Sequence, residues 1–197
     1  MSKLNIASYD PYTQAHGPGN RFALWVQGCN MRCPGCINDH MLDTAEDKGK
    51  KYETTDLSAL VARQANGVRP IEGVTVMGGE PTLQAQALAD LLISVKAQGL
   101  NVLLFSGYTI EQLRARQSAA INNLLEQVDT LIDGPFIAAK LDTKLIRGST
   151  NQRIIHLTDT LQDRDFSRKG AGLFITNEPN GGVSLHQSGF DLSPLAA

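Results

Sequence analysis

The sequence predicts an α/β fold built on a parallel sheet, and three observations carry that prediction. Short apolar runs recur along the chain, helical patterns fill the gaps between them, and each run ends on a polar or glycine-rich step. Runs that are apolar throughout, rather than alternating, suit strands covered on both faces, as in a parallel sheet. Helices between such strands supply the crossovers that parallel pairing requires.

The first predicted strand is Phe22-Ala23-Leu24-Trp25-Val26. The next helix is marked by Leu57, Leu60 and Val61, with Thr54 or Thr55 as its N-cap. Gly73-Val74-Thr75-Val76-Met77 is the second strand, and Leu88, Leu91, Leu92 and Val95 then recur at the spacing of one helix face. Val102-Leu103-Leu104-Phe105 is the third strand. A helical turn near Ile110 and Leu113 follows it, then a helix carrying Ile121, Leu124, Leu125 and Val128. Thr130-Leu131-Ile132 is the fourth strand. Beyond Asp159 the pattern weakens to a β-hairpin of Leu173–Thr176 and Val183–His186 around a multi-residue turn, read as covering a sheet edge in preference to docking a partner.

Composition bounds the function. A chain of 197 residues with 42% hydrophobic and 19% charged residues fits one soluble domain, residues 1–197, with no repeat or linker to divide it. Eighteen basic against twenty acidic residues leave a formal charge of -2, so there is no global basic field for nucleic acid. No apolar run approaches a membrane span, and the N-terminus lacks the apolar stretch of a signal peptide. Three clustered cysteines, an odd number, do not make a disulfide framework, which places the chain in a reducing cytoplasm.

Those cysteines, Cys29, Cys33 and Cys36, are the strongest chemical signal. Thiolates are soft ligands that suit iron–sulfur clusters or zinc. A 4Fe–4S cluster held only by cysteine needs four, so three leave one iron open to another group. A Cys3His zinc site using His40 is the rival reading, although zinc sites usually draw their second ligand pair from further along the chain.

Each predicted strand runs into an unusual step: Gly28-Cys29, Gly78-Gly79-Glu80-Pro81, Ser106-Gly107-Tyr108 and Asp133-Gly134-Pro135. Ligand sites in parallel α/β folds collect at the carboxyl ends of strands, so the four steps converge on one edge. Gly78-Gly79-Glu80-Pro81 reads as a tight turn or as a close backbone approach to a ligand amine, with Glu80 accepting from an ammonium group. Asp133 reads as a turn carboxylate or as a polar contact in the same pocket, and Ser106 follows the same logic. Arg147-Gly148-Ser149-Thr150-Asn151-Gln152-Arg153 is denser in polar groups than a surface loop needs and is a further site candidate.

Taken together, Gly17-Pro18-Gly19-Asn20-Arg21, the cysteine cluster with Ile37-Asn38, the Gly78–Pro81 step, Ser106-Gly107-Tyr108, Asp133–Phe136 and Arg147–Gln152 make the chain resemble radical S-adenosylmethionine enzymes. Within them it is similar to the small activators of anaerobic ribonucleoside-triphosphate reductase, over about residues 16–157, with 158–197 as a C-terminal extension. The resemblance implies a partial (β/α) barrel, a 4Fe–4S cluster on Cys29, Cys33 and Cys36, and S-adenosyl-L-methionine on the open iron. It assigns Gly35, Cys36, Ile37, Gly78, Gly79, Glu80, Ser106 and Asp133 to the cofactor site, with no catalytic side chain beyond cluster and cofactor. The implied partners are a glycyl radical enzyme, the anaerobic reductase, and a small reductant protein such as flavodoxin. Two other readings stay open: a short radical enzyme acting on a small molecule, such as a deazapurine synthase, and a non-enzymatic zinc module.

Overall fold

A computed structural model describes residues 2–45 and 48–167, and the backbone of 172–177 and 183–188. The strands are β1 (Lys3–Thr13), β2 (Arg21–Val26), β3 (Lys50–Glu53), β4 (Gly73–Gly78), β5 (Asn101–Ser106), β6 (Thr130–Asp133), β7 (Arg153–His156), β8 (Gly172–Asn177) and β9 (Val183–Ser188). The α-helices are α1 (Thr54–Ala65), α2 (Ala85–Ala97), α3 (Ile110–Ala115) and α4 (Ala119–Glu126). Strands β1 to β7 form one sheet in the order β3-β1-β2-β4-β5-β6-β7. Its centre, β2-β4-β5-β6, is parallel, as the apolar runs predict.

Side chains alternate across that centre with the period of a strand. Leu24, Val26, Val74, Val76, Val102 and Leu104 pack with Leu57 and Val61 of α1, Leu88 and Leu92 of α2, and Leu124 of α4 in one buried core. Each fully buried leucine there contributes about 1.5–3 kcal/mol. Strand order advances in one direction from β2 to β6, and crossovers share one hand, so the helices collect on one face. A doubly wound sheet would reverse order and place helices on both faces. The architecture is therefore a partial (β/α) barrel whose concave face carries loops.

Several elements differ from the sequence expectation. The sheet is mixed: β1 and β3 add antiparallel strands on one side and β7 on the other. These strands carry few continuous apolar residues because one or both faces reach solvent. Thr54 and Thr55 do not cap α1; Glu53 is its N-cap and makes no side-chain cap bond. The amide of Thr54 donates instead to the Ser2 carbonyl at 3.1 Å, so the chain ahead of β1 satisfies the helix start. The turn near Ile110 is a separate helix, closed by a capping box between Thr109 and Gln112. The C-terminal hairpin is present as β8–β9, paired antiparallel as a two-stranded sheet. Its turn, 178–182, lies outside the described residues.

Two buried charges brace the amino ends of the parallel strands. The Arg21 guanidinium donates to Thr75 Oγ1, the carbonyls of Pro18 and Val74, and Asn101 Oδ1. Burial pulls it down to about 10, with Glu72 and Asp129 opposing that shift. Asp129, just before β6, accepts from Lys96 Nζ at 2.8 Å, the Val102 amide at 2.8 Å and Thr158 Oγ1 at 2.7 Å. Burial alone would raise the Asp129 carboxyl, but Lys96, Thr158 and Val102 hold it below the usual carboxylate range.

That depression fixes a sign. Asp129 binds its proton more weakly folded than unfolded, so its stabilisation is fully present above an unfolded pKa of about 3.9 and fades as pH falls through the lower folded value. Asp129→Asn is expected to cost about 2–3 kcal/mol near neutral pH. In chemical denaturation at a series of pH values, the gap between variant and native protein is expected to close below about pH 4.

Candidate functional site

At the carboxyl end of β2 the chain enters the cysteine loop through Gly28, whose φ of +95° favours glycine. The loop is tied down at both ends. The amides of Gly28 and Cys29 donate to the carbonyls of Met41 and Leu42 at 2.8 and 3.0 Å. Asn38 Nδ2 reaches the Gly78 carbonyl at 3.3 Å, joining the loop to β4. Between Met31 and Cys33 the backbone turns through Arg32 at φ +49°, an uncommon conformation for a side chain other than glycine. The Met31 amide donates to Cys29 Sγ at 3.4 Å, and the Cys36 amide to the Cys33 carbonyl at 3.1 Å. All three thiols are free and half-buried.

Cys29, Cys33 and Cys36 line one cavity of about 540 Å³, within the usual range of small-molecule sites, about 300–1,000 Å³. Gly35 and Ile37 border it beside the cysteines, and Gly78, Gly79, Glu80 and Ser106 form the facing wall. Burial pushes the Cys36 thiol up, and the charges of Cys33, Cys29 and Asp39 add to that, while the Asn38 amide offsets part of it. Metal loading displaces such thiol protons.

The facing wall is built from close backbone approaches. Gly78 has φ +106°, and a side chain on Gly79 would collide with the Gly28 carbonyl. The amides of Gly79 and Glu80 donate to the carbonyls of Val26 and Gly28, each at 2.8 Å. Glu80 is buried and its carboxylate is already engaged. Oε1 accepts from the Thr82 amide at 3.0 Å, Thr82 Oγ1 at 2.6 Å and Ser106 Oγ at 3.0 Å; Oε2 accepts from the Gly107 amide at 2.8 Å. The residue read as a ligand acceptor is thus also the clamp joining the β4 and β5 loops. Tyr108 extends that junction: its hydroxyl donates to Asn30 Oδ1 at 3.0 Å, and the Arg116 guanidinium lies 3.8 Å from its ring centre.

Asp133 is placed differently. It is fully buried, accepts from the Ile110 amide at 2.7 Å and from Arg153 Nε at 2.9 Å, and does not line the cavity. Arg153 also bonds Glu111, so this cluster joins β6, β7 and α3. Its geometry favours the turn-carboxylate reading over a contact with the cofactor. In the polar loop 147–153, Arg147 pairs with Asp142 at 2.6 Å. Gln152 receives the amides of Gly148 and Ser149 and donates to the Gly134 carbonyl. Gly148 and Gln152 line the cavity, so part of that loop belongs to the site.

Sequence reasoning missed the apolar wall. Trp25, Met77 and Phe105 face the cavity from β2, β4 and β5, joined by Phe136 and Ile146 from the loops. Trp25 lies between Leu24 and Val26, both of which enter the helix-side core, so strand alternation alone assigns it to the opposite face. His16 stands edge-on to Trp25, with ring centres 5.0 Å apart.

The donor set suits an iron–sulfur cluster: three thiols on one loop, facing a glycine-walled cavity. Among the described residues no three His, Cys, Asp or Glu side chains are gathered to hold a single metal ion. His40, the fourth ligand of the rival zinc reading, lines the same cavity as the three thiols, with its Nδ1 3.6 Å from Asp39. A cube of four irons takes its thiolates at separate corners and needs no such common point.

Residues 15–155 match the family described as a 4Fe-4S single cluster domain, so the chain is a member of that class of iron–sulfur proteins. The anaerobic ribonucleoside-triphosphate reductase-activating protein of Escherichia coli strain K12 is 30% identical, with 78% of this chain and 99% of that protein covered. The proteins of the same name from Vibrio cholerae serotype O1 and Enterobacteria phage T4 are 32% and 29% identical, covering 78% and 82% of this chain and 97% and 100% of theirs. The chain belongs to the family of anaerobic ribonucleoside-triphosphate reductase-activating proteins.

Proposed function

We propose that this chain binds S-adenosylmethionine against a 4Fe–4S cluster held by Cys29, Cys33 and Cys36, and so generates a glycyl radical on an anaerobic ribonucleoside-triphosphate reductase. The observation that carries this reading is the meeting of three thiols, with no fourth in the chain, and the Gly78-Gly79-Glu80 step on one cavity. A cluster held by Cys29, Cys33 and Cys36 would supply one-electron reduction of the bound sulfonium, the chemistry that hydrogen abstraction from a glycine of the partner requires.

The chain's own residues orient and shield. Gly78 and Gly79 let this wall close against the backbone of Trp25, Val26 and Gly28, which a side chain on either would strike, and so fix it opposite the thiols. Glu80 adds negative potential beneath that approach, although its direct bonds go to Thr82, Ser106 and Gly107. Trp25, Met77, Phe105 and Phe136 make the remaining wall apolar, which limits water around a reactive species. Hydrogen abstraction needs no acid–base pair, and the carboxylate in the cavity wall is fully committed to chain donors. A low-potential one-electron donor such as a flavodoxin, in a reducing cytoplasm, completes the proposal. Among the described residues no helix is long and apolar enough to cross a membrane.

The test is anaerobic incubation of the reconstituted protein with S-adenosylmethionine, a strong reductant and the partner reductase. The expected result is a carbon-centred radical on the reductase by electron paramagnetic resonance, with matching 5′-deoxyadenosine. Deoxyadenosine without any radical on the reductase would favour a small-molecule substrate instead.

A further inference from the structure

The family match ends at residue 155, and the stretch that follows runs beneath the barrel. Two polar anchors fix its path. Thr158 Oγ1 donates to Asp129, just ahead of β6, and Arg164 pairs with Glu72, just ahead of β4. Residues 158–164 therefore span the amino ends of the parallel strands, opposite the end that carries the cysteines. Glu72 also accepts the Asn20 amide at 3.1 Å, which links this strap to the loop containing Gly17–Arg21.

From that track Leu161 and Phe166 turn inward. Both are buried with Leu103 of β5, Ile132 of β6 and Ile146, and Phe105 packs against the same group. This apolar cluster lies on the concave face, separate from the core beneath the helices. The strap then pairs with the cavity-lining loop: the Ile146 amide donates to the Phe166 carbonyl at 3.1 Å, and Leu145 bridges Ser167. Ile146 and Phe105 belong both to this cluster and to the cavity wall.

A closed barrel fills its interior with side-chain layers from its own strands. A partial barrel lacks some of those strands, so the concave face of β5 and β6 must be covered by something else. We infer that residues 158–167 do this, and that Phe166 is a positioning residue: it holds Ile146 in the cavity wall and closes the floor under the ligand. The inference rests on S-adenosylmethionine being the occupant of the cavity. Removing the Phe166 ring takes away part of the packing behind Ile146, leaving Leu103, Ile132 and Leu161, so the wall loosens and the pocket gains depth and water.

The experiment uses full-length, anaerobically reconstituted protein with the cluster oxidised, so that S-adenosylmethionine binds without being cleaved. Its dissociation constant is measured for the native protein, Phe166→Ala, Phe166→Leu and Ile146→Ala, beside iron content, sulfide content and thermal midpoint. Phe166→Ala and Ile146→Ala are expected to weaken binding about tenfold at native iron content, with Phe166→Leu restoring most of the loss. Should Phe166→Ala fail to fold, Ile146→Ala carries the comparison at the same size, about tenfold, and Phe166→Leu with a smaller shift. Native affinity in these variants, with only a lowered thermal midpoint, would overturn the inference and leave the functional reading intact. If the native protein itself bound no S-adenosylmethionine, that reading would fall and the inference with it.

Discussion

Cys36→Ala, reconstituted anaerobically with iron and sulfide, is expected to retain less than about a tenth of the native iron and to cleave no detectable S-adenosylmethionine. The same holds for Cys29→Ala and Cys33→Ala, because the chain has no fourth cysteine to take over. The loop that carries them is anchored by main-chain bonds to Met41 and Leu42 and by Asn38 to Gly78, none of which uses a thiol. Loss of a sulfur should therefore leave the fold in place. Circular dichroism and thermal midpoint of the metal-free variant should match those of the metal-free native protein. A variant that folded, bound native amounts of iron and still cleaved the cofactor would show that the thiol in question is not a ligand.

Glu80→Ala should produce the second large effect. Four donors converge on that buried carboxylate, and its removal leaves the amides of Thr82 and Gly107 and the hydroxyls of Thr82 and Ser106 without their acceptor. Each buried donor left unpaired in this way costs about 1–3 kcal/mol, so a loss of several kcal/mol is expected. Glu80→Gln keeps the shape and three acceptor contacts at Oε1, but turns an amide group toward the Gly107 amide, so a loss of about 2–3 kcal/mol is expected. Chemical denaturation of the metal-free proteins measures both. A Glu80→Ala protein as stable as the native one would mean that the β4 and β5 loops are held together by something other than this carboxylate. The two substitutions also divide binding from scaffolding: a folded Glu80→Gln protein that binds S-adenosylmethionine normally would limit Glu80 to its structural bonds.

The parallel centre was legible because its residues are buried on both sides, and burial on both sides writes an uninterrupted apolar run. Phe22–Val26, Gly73–Met77, Val102–Phe105 and Thr130–Ile132 all lie in observed parallel strands. The antiparallel flanks lacked that signal. Lys3–Thr13 alternates only at Leu4 and Ile6 before irregular pairing with β2, and Arg153–His156 is largely uncovered. The convergence of strand-end steps was legible for a topological reason: parallel strands share one carboxyl end. What composition could not reveal was which polar side chains in those steps face the cavity. Asp133 and Glu80 look alike in sequence, each following a strand beside glycine and proline. Asp133 turns toward Arg153 and α3, whereas Glu80 sits in the cavity wall between two loops. Their separation depends on Arg153, twenty residues further on, and no local pattern encodes that partner. The strap 158–167 was illegible for a related reason: Leu161 and Phe166 are isolated apolar residues whose burial follows from a barrel left open above them.

The central claim is that one iron of the cluster is left without a protein ligand and receives S-adenosylmethionine. Mössbauer spectroscopy of protein reconstituted with iron-57, recorded with and without S-adenosylmethionine, tests it most directly. The account predicts that one of the four irons changes its spectrum when the nucleotide is added while the other three do not. Four irons unchanged by saturating nucleotide, with the fourth ligated by a side chain such as His40, would contradict it.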